Sequence, residues 1–484
     1  MPAIRTKRAI HSHRRGSTDS DGSFDPLGTA SSSSRRSSRP ISRDGSSRES
    51  SLTSLEPSPP PQPKKNTRKA ITIHDQRLEP TEVLDTLYLW LAERKAIDDR
   101  RRDGMPAPWT KDRILHEYKF CNSYRVLDRT SQFVVSEVIE KGSHLSDTEL
   151  LFRILLFNAF NRIETWILLK KEFGDKLTWK DYSISAYNKV LSKAKNDGTS
   201  LFTAAYLKIG KKLDYDANHM RHLQLLEILM EALPDILAEA EYAADVYEKL
   251  AAYPGMAAFT TYQLMISLSY SRLLNFSAND FVVPGPGASS GLVKMFGQSI
   301  TRAKKLHPNI ESDVLRWMVT TQREHFARLG LEFAFLRNKN RDELELDLAD
   351  MEHAVCEVDK YARKAHPHVK GIGGRAELRV TFTASEDALP KVPALPKAWA
   401  DPARRVARVR PGPIDVEQKW VLTAILKERP AENGNHDDTV EYLVSWFGYD
   451  KPTWEPRYSI LEDAPALVAQ YEAKKVQKRK KTRR

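Results

Sequence analysis

The chain has 484 residues, room for two or three domains, and a hydrophobic share of 40% that supports true cores. Its two cysteines, Cys121 and Cys356, exclude a disulfide framework and a four-thiolate zinc site, and no run of about 18 apolar residues offers a membrane span. The net charge of +12 sits in the ends: residues 1–70 carry 14 − 6 = +8 and residues 474–484 carry +8, which leaves 12 − 16 = −4 between them. The basic balance therefore belongs to the tails, which favour polyanions such as DNA without sequence preference.

Residues 1–75 are rich in Ser, Arg and Pro ("SSSSRRSSRPISRDGSSRESS", "PSPPPQPKK") and read as a disordered basic tail. They lack the apolar core region of a secretory signal. From 76 to 385 the periodicity is helical. In "HLQLLEILMEALPDIL", Leu223, Leu226, Met230, Leu233 and Leu237 form a buried stripe, with a kink expected at Pro234.

"EYKFCNSYRVLDRTSQFVV" (117–135) reads as a helix with Arg125, Asp128, Arg129 and Gln132 on one polar face. Within 351–364, His353, Glu357, Lys360 and Lys364 share a second such face. The two stripes either face one another across a cleft or knit a bundle. Arginine suits phosphate clamping and glutamine suits base edges. Asp128, Glu357 and His353 are the candidates for acid–base chemistry. His353 and Cys356 stand at i, i+3, but with no further ligand pair nearby the expectation is no metal, and Cys356 reads as a buried filler. In "FVVPGPGASSGL", Gly285 and Gly287 allow tight backbone geometry before a helix start that offers N–H groups to a phosphate.

Residues 386–415 read as a semi-stiff Pro/Arg-rich linker. The periodicity then changes to two in "KWVLTAIL" and "TVEYLVSW", followed by a short helix in "DAPALVAQYEAKK" and the basic tail 474–484.

Residues 416–473, with "EYLVSWFGYDKPTWEPRYSI" after "VEQKWVLTAILKER", closely resemble a chromodomain. The resemblance implies a three-stranded antiparallel sheet with one C-terminal helix. It also implies an aromatic cage for methylated lysine at Trp420, Trp446 and Tyr449, with Trp454 as a packing residue. Cation–π attraction holds the quaternary ammonium, and the histone peptide joins as an added strand. "DKPT", between Tyr449 and Trp454, is shorter than in heterochromatin proteins and lacks their supporting acid unless Asp450 substitutes.

Four landmarks, "FCNSYRVLDRTSQF", "LFRILLFNAFNRIETW", "YQLMISLSYS…DFVVPGPGASSGL" and "MEHAVCEVDKYAR", resemble the helical domain of phage and fungal DNA base-hypermodification enzymes, including 5-hydroxymethyluracil DNA kinases. That resemblance implies handling of modified pyrimidines in DNA. It makes Arg125, Arg129, Gln132, Asn161, Gln263, Gly285, Gly287 and Lys360 the candidates for contacting DNA or a base. The chain nowhere contains G-x-x-x-x-G-K-S/T, so the kinase half is missing, phosphate transfer from ATP is not implied, and no cofactor is expected.

The expected fold is mainly α: an all-α multi-helix domain, the small chromodomain and a disordered N-terminal tail. The expected protein is nuclear and chromatin-associated. Its expected partners are a methylated histone H3-type tail and DNA, with no membrane. The alternative is a non-catalytic reader or scaffold subunit of a histone-modifying complex, such as an acetyltransferase.

Overall fold

The computed structural model describes residues 3–6, 68–203, 217–373, 377–384, 388–412, 414–416, 419–431, 440–446 and 451–482. Its first strand, β1 (Ala3–Thr6), is followed by a hairpin of β2 (Ile71–Ile73) and β3 (Gln76–Leu78). The helices then run α1 (Glu82–Arg102), α2 (Arg113–Glu117), α3 (Arg129–Phe133), α4 (Asp147–Phe160), α5 (Ile163–Phe173) and α6 (Ile184–Asn196). They continue as α7 (Asn218–Glu239), α8 (Ala243–Ala251), α9 (Ala258–Ser269), α10 (Pro286–Leu306), α11 (Ile310–Thr320), α12 (Gln322–Arg328) and, after a short hairpin of β4 (Leu336–Arg337) and β5 (Glu343–Leu344), α13 (Leu348–Ala365).

Helix α13 is central, packed by α1, α10 and α11. Its start is set by a capping box: Asp347 accepts from the Asp350 N–H and Asp350 accepts from the Asp347 N–H. Met351, Ala354, Val355, Val358 and Ala362 are fully buried on it. Close approach of α10 is what the glycines there permit. A Cβ on Gly287 would stand 2.2 Å from Cys356 Sγ, and one on Gly291 would stand 2.5 Å from the Val355 carbonyl.

In α7 the expected stripe is inside, with Leu223, Leu226, Met230 and Leu233 buried and Leu237 half-buried, and the helix continues through Pro234. The interrupted helix is α10, at Gly297 (φ 55°). "TELLFRILLFNAFNRIETWILLKKEFG" divides into α4 and α5 because Asn161 turns left-handed (φ 47°) and closes α4.

Three expectations change. Residues 117–135 are not one helix: α2 ends at Glu117, the chain runs extended past Tyr118, makes a single 3-10 turn at Arg125–Leu127, and restarts as α3. Asp128 is extended (ψ 142°), so the i, i+3, i+4, i+7 arithmetic fails there. The Pro/Arg-rich segment is not a free spacer but a strap on the helical domain. Arg404 donates to the Ser269 and Ser271 carbonyls and to Asn275, and Arg410 pairs with Asp245 and Glu248. The hairpin β2–β3 lies on α10 and α11, so the folded unit reaches back before residue 76.

The C-terminal sheet has the order β1-β6-β7-β8, with β6 (Lys419–Pro430), β7 (Val440–Trp446) and β8 (Thr453–Pro456), all antiparallel. Three strands match the expectation. The fourth is the chain's own N-terminus, which pairs Ala3 with Leu422 and Thr6 with Lys419. Two helices follow, α14 (Arg457–Asp463) and α15 (Pro465–Thr482), so the C-terminal basic run continues a helix. Leu422, Tyr442, Val444, Trp446, Ile460, Ala464 and Val468 form this module's core. No helix among the described residues is long and apolar enough to cross a membrane.

Candidate functional site

The extended segment after α2 is threaded between α1 and α13, and its polar groups are met from both sides. The Cys121 N–H donates to Glu357 Oε2 (3.1 Å), and the Ser123 hydroxyl donates to the Leu91 carbonyl (2.7 Å). An N-cap aspartate ordinarily accepts from its own helix. Asp128 turns back instead, accepting from the Asn122 N–H (2.7 Å) and from Arg125 Nη1 (2.6 Å). Arg125 also donates through Nη2 to Gln263 on α9 (2.9 Å), and its N–H donates to Asp350 (2.5 Å).

From α13, His353 Nε2 approaches Asp128 Oδ2 at 3.6 Å, and Lys360 Nζ lies 2.7 Å from Glu357 Oε1. Arg125, Asp128, Gln263, His353, Glu357 and Lys360 thus form one buried network joining three parts of the chain, the segment after α2, α9 and α13. Asp350 and Glu352, which complete it, were not singled out in the sequence. Only the double role of Asp350 as a capping-box member hinted at the first, and no sequence signal pointed to the second.

Burial sets the electrostatics. It raises the Asp128 carboxyl against the pull of Arg125 and the Asn122 N–H. Burial alone would lower Arg125 and Lys360, but Asp128 and Glu357 respectively outweigh it and raise both above their ordinary values. His353 is pushed well below its ordinary value by burial, with Arg125 and Lys360 adding to the effect, so its ring is neutral. Glu352 rises to about 7 through burial, opposed by the Gly285 N–H that donates to it at 2.9 Å.

The remaining candidates lie elsewhere. Arg129 points outward, its side chain 81% exposed, with Glu164 at 3.7 Å. Gln132 faces the strap: its amide donates to the Val126 and Ala394 carbonyls and its oxygen accepts from the Ala394 N–H. Asn161 closes α4. The helix start at Gly285 already has its acceptor, a Glu352 carboxyl oxygen, and Gly287 is packed on Cys356.

Cys121, His353 and Glu357 bring ligand atoms within 4.8 Å of one another, a grouping that the sequence spacing concealed. Lys360 already neutralises Glu357 there, and burial pushes the Cys121 thiol well above its ordinary value, so a thiolate is opposed. The arrangement is a charge-compensated network that holds the segment after α2, α9 and α13 together.

In the C-terminal module, Trp446 is 5% exposed and donates Nε1–H to Thr453 Oγ1 at 2.7 Å. Trp454 is half-buried, with the Arg429 guanidinium 4.4 Å from its ring centroid, so its packing partner is a surface cation. Trp420 is on β6, while Tyr449 and Asp450 lie outside the described residues.

The architecture defines a large helical domain strapped to a small sheet-and-helix module of the chromatin-organisation type. The chain belongs to the family of the 5-hmdU DNA kinase helical domain, whose model matches residues 81–371, more than half of its length. Residues 420–474 match the chromo (chromatin organisation modifier) domain. No curated protein and no solved structure matches the chain.

Proposed function

We propose that this is a nuclear, chromatin-associated protein whose chromodomain reads a methylated lysine of a histone H3-type tail and whose helical domain recognises modified pyrimidines in DNA. The observation that carries the reading is the presence of both family matches in one chain. Trp420, Trp446 and Tyr449 supply the cage. The bond from Trp446 to Thr453 fixes one ring, so less rotamer freedom is lost on binding.

Recognition is favoured over catalysis by a specific observation. Asp128 and Glu357 are committed to Arg125 and Lys360, and His353 is buried beside them. The same fact favours the second reading, a scaffold subunit of a histone-modifying complex in which the network serves only stability.

Full-length protein titrated with duplexes containing thymine, 5-hydroxymethyluracil or 5-hydroxymethylcytosine, at about 150 mM salt to weaken the tails, separates the two. The basic tails bind all three alike, so any difference reports the helical domain. Equal affinities remove the base reading and leave the scaffold. Calorimetry with trimethylated and unmodified tail peptides tests the cage. Tyr449→Ala is expected to cost about 1–2 kcal/mol for the trimethylated peptide alone.

A further inference from the structure

Beside the 118–121 segment lies a second feature, a cavity of about 200 Å³. Arg94 and Arg101, one face of α1 two turns long, form its floor. Trp109, Tyr118, Phe120 and Phe382 supply aromatic walls, and no carboxylate lines it among the described residues.

The Phe382 wall is fixed by backbone pairing. Tyr118 and Thr381 form an antiparallel bridge, the Phe382 N–H donates to the Glu117 carbonyl at 2.8 Å, and the Lys119 N–H donates to the Val380 carbonyl at 3.0 Å. The Arg101 guanidinium sits 5.2 Å from the Trp109 ring and 5.8 Å from Phe382, and no ion pair engages it among the described residues. Arg94 is 9% exposed; its Nε donates to the Cys121 carbonyl at 2.9 Å, while its Nη1 is buried with no acceptor among the described residues. An unsatisfied guanidinium donor in such a place is costly unless something supplies an acceptor.

We infer that this cavity is a pocket for a single pyrimidine nucleotide, reached by a base turned out of a DNA strand. The inference deepens the proposed recognition of modified pyrimidines and rests on it for the choice of base. Two cations and no acid among the described lining residues select a ligand that is anionic or rich in carbonyl acceptors. Several ring faces select a planar one, since bases stack on aromatic side chains and on guanidinium planes. A cavity of this size admits one base and excludes a base pair, so duplex DNA must offer an extruded nucleotide. The pocket is tied to the buried network through Arg94 and Cys121 and through Phe120, whose ring centroid is 6.0 Å from Lys360 Nζ.

The test uses the full chain and the mononucleotide 5-hydroxymethyl-dUMP, with dTMP and inorganic phosphate as controls, followed by calorimetry and by ligand-observed NMR. Wild type should bind the two nucleotides and not phosphate. Trp109→Ala and Arg101→Gln, both on partly exposed side chains, should each weaken binding on the order of tenfold, the usual loss of one stacking platform or one charged contact. Phe382→Leu provides a milder third variant with the same expected direction. Unchanged affinity in Trp109→Ala and Arg101→Gln, or no nucleotide binding at millimolar concentration, overturns the pocket. Nucleotide binding lost in these variants, with duplex binding indifferent to the modification, upholds the pocket and removes the modified-base reading. A modification-dependent duplex affinity that both variants retain does the reverse.

Discussion

Replacing Glu352 by glutamine isolates a charge that the fold does not want. The carboxyl is almost completely buried on α13, and its one hydrogen-bond partner among the described residues is the Gly285 N–H at the start of α10. Glutamine keeps the shape and the accepting oxygen and removes only the ionisation. Burial carries the carboxyl from 4.5 up to about 7, a shift of roughly 2.5 pH units, or about 3 kcal/mol at 1.36 kcal/mol per unit. Below pH 4.5 the group is protonated folded and unfolded. Between 4.5 and 7 the folded state holds a proton that the unfolded chain has released. Stability from this group is therefore full at low pH and is lost as pH rises through about 7. Urea unfolding followed by helical ellipticity from about pH 4.5 to 8 measures the difference between Glu352→Gln and wild type. That difference should shift in favour of the variant by about 3 kcal/mol across the range. The Asp347–Asp350 pair, also raised by burial, titrates in both proteins and cancels. A difference that stays flat with pH would mean that Glu352 ionises normally, and the account of the network's electrostatics would fail.

Gly287→Ala places a Cβ 2.2 Å from Cys356 Sγ and should cost about 1–3 kcal/mol in thermal or urea unfolding. Cys356→Ala in the same chain should recover part of that loss, and a failure to recover would show that the helices have no shared contact there. Deleting residues 1–8 removes the strand that occupies the β6 edge, where a histone peptide would add. Affinity for the trimethylated peptide should rise severalfold in the same calorimetric assay, and an unchanged value would show that the two do not compete. Arg129→Ala should leave stability within about 0.5 kcal/mol, because the side chain is exposed. Asp128→Asn, which strips the charge from the partner of Arg125, should destabilise by about 1–3 kcal/mol, measured alongside it.

Much of the architecture was legible in residue order. The three-and-four spacing of Leu223 to Leu233 places α7 against the core, and the period of two in "TVEYLVSW" gives β7 with Tyr442, Val444 and Trp446 inward. These are local facts: a helical stripe or an alternating strand follows from backbone periodicity alone. The two polar stripes were also legible as unusual, and the structure does bring Asp128 to His353.

Their meaning came only from tertiary structure. Helical spacing assigns Arg129 to the same face as Arg125, but Asp128 is drawn away from helical geometry by the Asn122 N–H and the Arg125 guanidinium, which leaves Arg125 inside and Arg129 in solvent. Gln132, apt for a base edge, is taken by Ala394, 262 residues away. Arg404 and Arg410 of the strap, which look free in sequence, are spent on carbonyls and carboxylates of the helical domain. A polar side chain carries donors and acceptors but no address. Which partner satisfies it is decided where distant segments meet, because a buried group must be paired by whatever packing brings within reach.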